Sequence, residues 1–328
     1  MRATLIRGLL ASLVAAASIS AQAQPVQLNL GHVLAPGSHY HFMSQRLAEL
    51  AAKKSNGELT INIFPQGQLG GEVRMIQAAR TGTLDLFITA QAPLVGTEPR
   101  FGVFDAPFLF SSLDQANRIL NGPVGNRFLE MLPRHNLVGL GFLSAMERNV
   151  FSNRPIRKAS DMAGLKIRVM QSPGYVRAYA AFGAQPIAMP YGDVYLALQQ
   201  GTIDGADTSP DQFVMDKFIE VSRYYNLTRL HYLPGLLIAS KTTFDRLNKR
   251  QQQILRESAN EALEAARAFY LKSYAESMEQ MKKAGVRVIE TDVGSLKPVS
   301  AKTREALVRE IPDGTKLYDM LQQAIGAL

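Results

Sequence analysis

Residues 27–89 read QLNLGHVLAPGSHYHFMSQRLAELAAKKSNGELTINIFPQGQLGGEVRMIQAARTGTLDLFIT, and their apolar spacing switches between strand and helix periods. Gln27–Gly31 alternates apolar and polar side chains, the period-two signature of a strand. Ala35-Pro36-Gly37 is a turn, and Ser38 can cap a helix carrying Phe42, Leu47, Leu50 and Ala51 on one face. Asn56-Gly57 turns the chain. Leu59–Phe64 alternates again, Pro65-Gln66-Gly67 ends that strand, and Gly71–Arg80 reads as a second helix. Leu84–Thr89 is a short apolar run of the buried-strand kind. A β-α-β-α-β order implies a mostly parallel sheet with helices on its faces.

The pattern recurs downstream. Val138–Phe142 is strand-like, Leu165–Val169 alternates, Tyr175–Phe182 is helical and Gln185–Met189 is extended. Asp193–Gly201 reads as a short helix closed by its glycine, followed by a strand and turn at Ile203–Ala206. Two β/α blocks of this size predict two lobes. Asn248–Ala284 is different, because it contains neither Gly nor Pro. Asn248 and Gln251 have capping-box spacing. Leu255, Ala259, Ala262, Ala266, Phe269, Tyr270, Ser273 and Ser277 follow at helical intervals, and Gly285 is placed to stop the helix. Such a helix is about 50 Å long. That exceeds one small domain, so it either runs along both lobes, contacts a partner or breaks. Thr303–Leu328 reads as further helices packed on the lobes.

The first residues look like a leader. Arg2 and Arg7 are a positive start, Leu9–Ala17 is apolar, and Ala21-Gln22-Ala23 is a small-x-small cleavage pattern. Residues 1–23 are therefore expected to be a signal peptide, with Gln24 first in the mature chain and the protein secreted. Their apolar run is too short to span a bilayer stably, and no later one reaches about 18 residues. The chain contains no cysteine, so disulfides, thiolate nucleophiles and cysteine-ligated zinc are excluded. The formal charge is +8, or +6 without Arg2 and Arg7. Lys and Arg are interspersed with acids except at Arg154–Lys158. That pattern favours a soluble surface that gathers anions over a nucleic-acid interface.

Catalytic patterns are absent. His39 and His41 are two residues apart, so on a helix they face different ways and make a poor metal pair. There is no His-Glu-x-x-His, no Gly-x-Ser-x-Gly and no phosphate loop with its lysine. Neither a metal site nor a cofactor is expected. Residues 147–209 are denser in candidate chemistry. Within them Arg168 sits inside Leu165-Lys166-Ile167-Arg168-Val169, where period two puts it on the face of Lys166, away from the apolar residues. This is either a binding face or the solvated face of an edge strand.

Several motifs, taken in order, carry a resemblance. They are Phe64–Gly70, Gly82–Asp85, Asp105–Phe110, Gly164–Val169, Pro190–Gly201 and Asp204-Gly205. Together they resemble the DctP family, the solute receptors of tripartite ATP-independent periplasmic (TRAP) transporters. The likeness spans the mature chain and includes the single very long helix. It implies an α/β, two-lobed periplasmic binding protein fold with a hinge and one very long helix spanning both lobes. It also implies that Arg168 makes a two-pronged ion pair with a ligand carboxylate, which the planar guanidinium fork suits. By the same likeness Arg148 assists, the Tyr191 ring packs over the ligand, and Thr208 stands where the family commonly has Asn. Tyr191 replaces a more usual Phe, and Asp193 a more usual Glu. Gln91 and His39, with His32 and Tyr40 behind them, are candidates at strand ends in the first lobe.

The expected function is capture of a small organic carboxylate by hinge closure and its delivery to the integral membrane subunits of a TRAP transporter, without catalysis. The lobes are expected at 24–145 plus 233–270 and at 146–232 plus 271–328. A periplasmic enzyme acting on an organic acid, on a related two-lobed scaffold, is the alternative.

Overall fold

The computed structural model describes residues 25–328, so the expected signal peptide lies outside the described residues. The chain begins as the alternation predicts, with β1 (Val26–Gly31), α1 (His39–Lys54), β2 (Leu59–Phe64), α2 (Glu72–Thr81) and β3 (Leu86–Ala90). β1 pairs parallel with both β2 and β3. Ser38 caps α1 by accepting the His41 amide hydrogen at 3.3 Å. α2 ends at Gly82, whose φ of 81° is accessible to glycine without a Cβ clash.

Two 3-10 turns, Ala92–Gly96 and Pro99–Asp105, lead to α3 (Leu113–Leu120), α4 (Pro123–Leu129) and the long strand β4 (Leu137–Ser152). A second block follows: β5 (Lys166–Val169), α5 (Pro173–Ala180), β6 (Gln185–Ala188), α6 (Val194–Gln199), β7 (Gly205–Thr208) and α7 (Pro210–Met215). The return strand β8 (Tyr224–Ser240) leads into α8 (Lys241–Arg246) and α9 (Lys249–Lys283). The chain closes with β9 (Arg287–Ile289), α10 (Val293–Glu310) and α11 (Gly314–Gly326).

The strands form one hydrogen-bonded sheet in the order β2-β1-β3-β8-β4-β7-β5-β6, with β9 also beside β8. The antiparallel pair β4–β8 is its spine. β3 pairs with Gly235–Ala239 at one end of β8, while β9 pairs with Tyr224–Asn226 at the other. β7 pairs with Asn149–Ser152, the far end of β4. Each long strand therefore serves different neighbours with its two halves. The two β/α blocks read from sequence share a single continuous hydrogen-bonded sheet. The β4–β8 register shifts between Gly139 and Gly141, between Phe142 and Ala145, and between Arg148 and Val150. Bulges of this kind bend and twist a strand locally. The sequence pattern shows β4 only at 138–142, because its second half buries polar side chains and loses the alternation.

α9 holds the two halves together. Its capping box is complete: Asn248 Oδ1 accepts the Gln251 amide hydrogen at 2.9 Å, and Gln251 Oε1 accepts that of Asn248 at 3.1 Å. Buried Ala259, Ala262 and Ala266 let other elements pack closely against its first part, within the core that includes Leu47 and Leu50 of α1. Phe42 stacks on Phe269 with ring centroids 4.4 Å apart. Further along, Met281 is buried with Phe151, Phe213 and Tyr225 in the core of the second half. One helix thus contributes to both cores. α11 buries Leu317 and Leu321 with Phe101 and Phe128, against the helices of the first half.

Asn248→Ala removes one half of the capping box and leaves the Gln251 amide of a 35-residue helix without its partner. We expect a loss of about 1 kcal/mol of unfolding free energy, read from the urea midpoint at unchanged slope.

Candidate ligand-binding site

β5 lies between β6 and β7, with Arg168 beside Ile187 on one neighbour and Ala206 on the other. It is an interior strand, so the edge-strand reading of Arg168 fails. Lys166 reaches solvent, whereas Arg168 is 1 % exposed. Its Nε and Nη2 donate to the Met189 carbonyl at 3.1 and 2.8 Å. Its Nη1 is buried and has no hydrogen-bond partner among the described residues. The guanidinium carbon stands 5.7 Å from the centre of the Tyr191 ring. Burial, and then the nearby Arg148 charge, push the Arg168 pKa below its ordinary value.

Arg148 comes from β4 and is also buried, but it has its own counter-ion. Its Nε and Nη2 each donate to an Asp207 carboxylate oxygen at 3.0 Å, a two-pronged pair. Nη2 also meets the Asp207 carbonyl oxygen. Nη1 faces Thr208 Oγ1 at 3.5 Å and Gln212 Oε1 at 3.4 Å. Burial favours the neutral guanidine, yet the Asp207 charge and hydrogen bonds more than offset it and raise the Arg148 pKa. Burial alone would raise the Asp207 pKa; Arg148 drives it below the usual carboxylate value. Arg148 is neutralised internally and Arg168 is not.

A cavity of about 20 Å³ opens between the halves, room for about one water. Arg148, Tyr191 and Gln212 line it from one side, and Tyr40 and Glu72 from the other. Glu72 accepts the Ala90 amide hydrogen at 2.7 Å and the Thr89 hydroxyl at 3.2 Å. Burial raises its pKa, against those hydrogen bonds and the Arg168 and Arg148 charges. The sequence gives no sign of Glu72, since an acid in the first turn of a helix is ordinary. Gln212 lies four residues after Thr208 and meets it only because β7 ends at Thr208 and α7 starts at Pro210.

The structure thus brings Arg168, Arg148, Tyr191 and Thr208 into one cluster, of which Arg148 and Tyr191 line the cavity. The other two candidates are engaged beside it. His39 Nδ1 lies 2.9 Å from Asp211 Oδ2, with both side chains wholly buried. Its ring packs edge-on to Tyr40 and to Tyr270 of α9. Gln91 donates to Asp105 Oδ1 at 2.8 Å, while its Oε1 is buried without a partner among the described residues. Asp105, missed in the sequence, also accepts from the Ser172 hydroxyl at the start of the second block. His32 is 3.2 Å from His41, and burial, His41 and His39 lower its pKa to about 3.

Residues 30–311 match the family model of bacterial extracellular solute-binding proteins, family 7, named DctP. The chain belongs to this family. The chain is 32 % identical over 318 residues to the 2,3-diketo-L-gulonate-binding periplasmic protein YiaO of Escherichia coli, covering 96 % of each. It superposes with a TM-score of 0.90 on the sugar acid binding protein DctPAm of Advenella mimigardefordensis in complex with galactonate, at 28 % identity over 93 % of this chain and 99 % of that one. A TRAP periplasmic solute-binding protein of Polaromonas sp. JS666, bound to D-erythronate, gives 0.87 at 30 % identity over 90 % and 98 %. The DctP resemblance read from the motifs therefore holds, and the architecture is the two-lobed fold of TRAP solute-binding proteins. These matches are solute-binding proteins rather than enzymes. No helix among the described residues is long and apolar enough to cross a membrane.

Burial pushes the Asp105 carboxyl up to about 7, against hydrogen bonds from Gln91, Ser172 and the Gly174 amide. Unfolded, the same carboxyl titrates near 4. Its contribution to stability is therefore complete below about pH 4 and is lost as pH rises through 7. Asp105→Asn cannot ionise and escapes that loss. Between about pH 5 and pH 8 its stability relative to wild type should improve by at least about 1 kcal/mol, measured by urea unfolding at both values. A pH-independent difference would contradict the raised carboxyl.

Proposed function

We propose that this chain is the periplasmic receptor of a TRAP transporter and that its solute is a sugar acid or a similar small hydroxy carboxylate. The observation that carries this reading is the Arg168 guanidinium, buried with no carboxylate within ion-pair distance among the described residues. A buried charge left unpaired costs several kcal/mol, and a ligand carboxylate removes that cost. The hydrogen-bond geometry leaves an edge for it. Met189 takes Nε–H and one Nη2–H, so the second Nη2–H and both Nη1–H groups remain for a two-pronged contact.

The roles of the other residues follow from their neighbours. Arg148, its charge met by Asp207, adds a second donor through Nη1. Tyr191 covers Arg168 and excludes water. Thr208 and Gln212 present polar atoms beside Arg148, and Glu72 and Tyr40 meet the solute from the opposite lobe. A carboxylate such as Glu72 suits hydroxyl groups, which donate to it, and repels a second carboxylate on the ligand. The sugar acids of the two neighbouring complexes support the same preference. His39 and Gln91 support the cleft through Asp211 and Asp105.

We take 24–145 with 233–270 as the first lobe and 146–232 with 271–328 as the second, α11 reaching across to α3 and α4 of the first. The closed cavity is smaller than any sugar acid, so entry requires the lobes to part about β4 and β8. Closure then desolvates the ion pair and presents a surface to the membrane subunits. Residues 1–23 would direct export and be removed.

A thermal-shift screen with D-galactonate, D-erythronate, 2,3-diketo-L-gulonate, succinate and neutral sugars tests this reading. An acid at 100 times its dissociation constant adds about 2.7 kcal/mol of stability. A shift with hydroxy acids and none with neutral sugars is expected. Arg168→Ala should weaken binding by about 3–5 kcal/mol, and Arg168→Lys should also be damaging because one ammonium cannot reproduce the fork. Near-wild-type affinity in either variant would remove Arg168 from this role.

A further inference from the structure

One side chain outside the arginine cluster bonds to both lobes and to the ring over Arg168. Asp216 follows α7 in the second lobe. Its Oδ2 accepts the Tyr191 hydroxyl at 2.6 Å. Its Oδ1 accepts the Ala35 amide hydrogen at 3.2 Å, from the turn after β1 and 181 positions away in sequence. Tyr191 in turn carries the ring 5.7 Å from the Arg168 guanidinium, and Phe218 packs edge-on against that ring at 5.8 Å. The chain of contacts therefore runs from a first-lobe backbone amide, through one carboxylate, to the aromatic lid of the arginine.

Three features show that this carboxylate is held in place. Lys217, the next residue, has φ of 62°, a left-handed conformation uncommon outside glycine, which turns the chain back after α7. No cation lies within ion-pair distance of Asp216 among the described residues, so its two hydrogen bonds are what fix it. Beside it a crevice of about 230 Å³ is lined by Val33, Ala35 and Gln66 on one side and by Tyr191, Asp216 and Lys217 on the other. The contact therefore lies at an edge of the interlobe cleft, where opening would break the Ala35 bond.

We propose that Asp216 is a closure latch, a positioning residue that ties the docking of the first lobe to the seating of Tyr191 over Arg168 and so sets how long a bound acid stays. The inference rests on the receptor reading above. When the lobes part, Asp216 exchanges the Ala35 amide for water and Tyr191 loses a fixed anchor. When they close, both bonds form together. The latch contributes only after the acid has entered, so it acts on dissociation.

The test is stopped-flow binding of D-galactonate, D-erythronate and 2,3-diketo-L-gulonate to wild type, Asp216→Ala, Asp216→Asn, Tyr191→Phe and the Asp216→Ala/Tyr191→Phe double variant. Wild type is measured first; binding of none of these acids there sinks the receptor reading and the latch with it. With a binding acid in hand, Asp216→Ala should raise the dissociation rate about tenfold or more and leave the association rate within about twofold. Asp216→Asn, whose Oδ1 still accepts the Ala35 amide, should fall between. The double variant should dissociate no faster than Asp216→Ala alone, because both changes break one chain of contacts. The melting temperature of the ligand-free protein should stay close to wild type, while the increment on adding the acid shrinks. An unchanged dissociation rate in Asp216→Ala, fully additive single effects, or a fall in ligand-free melting temperature as large as the fall with acid bound would each overturn the latch while leaving the receptor reading standing.

Discussion

Two guanidinium groups share one desolvated cleft, and only one of them has a carboxylate of its own. Asp207 neutralises Arg148 through a two-pronged pair, whereas Arg168 has a backbone carbonyl and an aromatic face. Buried charges are tolerated when paired and costly when not. The chain therefore carries a standing electrostatic deficit at one chosen point. The surrounding structure buries that point and holds Arg148 against Asp207.

The spine of the sheet makes that arrangement possible. β4 carries Arg148 and β7 carries Asp207 and Thr208, and their antiparallel register pairs Asn149 with Thr208 and Val150 with Asp207. β5 is the next strand over and brings Arg168 beside Ala206. Fixed strand spacing thus sets the separation of the two arginines. Because β4 and β8 continue into the first lobe, motion there bends two strands and need not break the sheet. Their register shifts, one of them at Arg148/Val150, concentrate local twist near the charged residues. Two of the polar contacts between lobes are carboxylates meeting neutral donors, Asp105 with Ser172 and Asp216 with the Ala35 amide. Such contacts form on closing and can be resolvated on opening, as a reversible clamp requires.

His39–Asp211 has a different place. It is wholly buried under Tyr270 of α9 and joins α1 to α7. With α9 contributing to the cores of both lobes, this pair adds a buried contact between them. The difference between His39 and Tyr40 illustrates the problem of reading a site from neighbours in sequence. Adjacent residues on a helix point about 100° apart, so Tyr40 lines the cleft while His39 turns inward to Asp211.

Much of the fold was legible because local periodicity reports which faces are buried. The opening β-α-β-α-β run, the capped α9 and its stop at Gly285 all follow from patterns within a few residues of one another. So do the lack of thiol chemistry and the arginine set into an apolar strand, and the ordered motifs supplied the family. The second half of β4 was not legible, because a strand that buries Glu147, Arg148 and Asn149 has no apolar alternation to read. Nor were Glu72, Gln212, Asp105 and Asp216, which are ordinary polar residues until chain segments tens to hundreds of positions apart meet. Sequence by itself determined that an arginine sits within an apolar strand, since that is a matter of local pattern. Only the tertiary structure decided which arginine is already satisfied and which is free to bind. That depends on where a distant aspartate is held, and burial sets the energetic consequence.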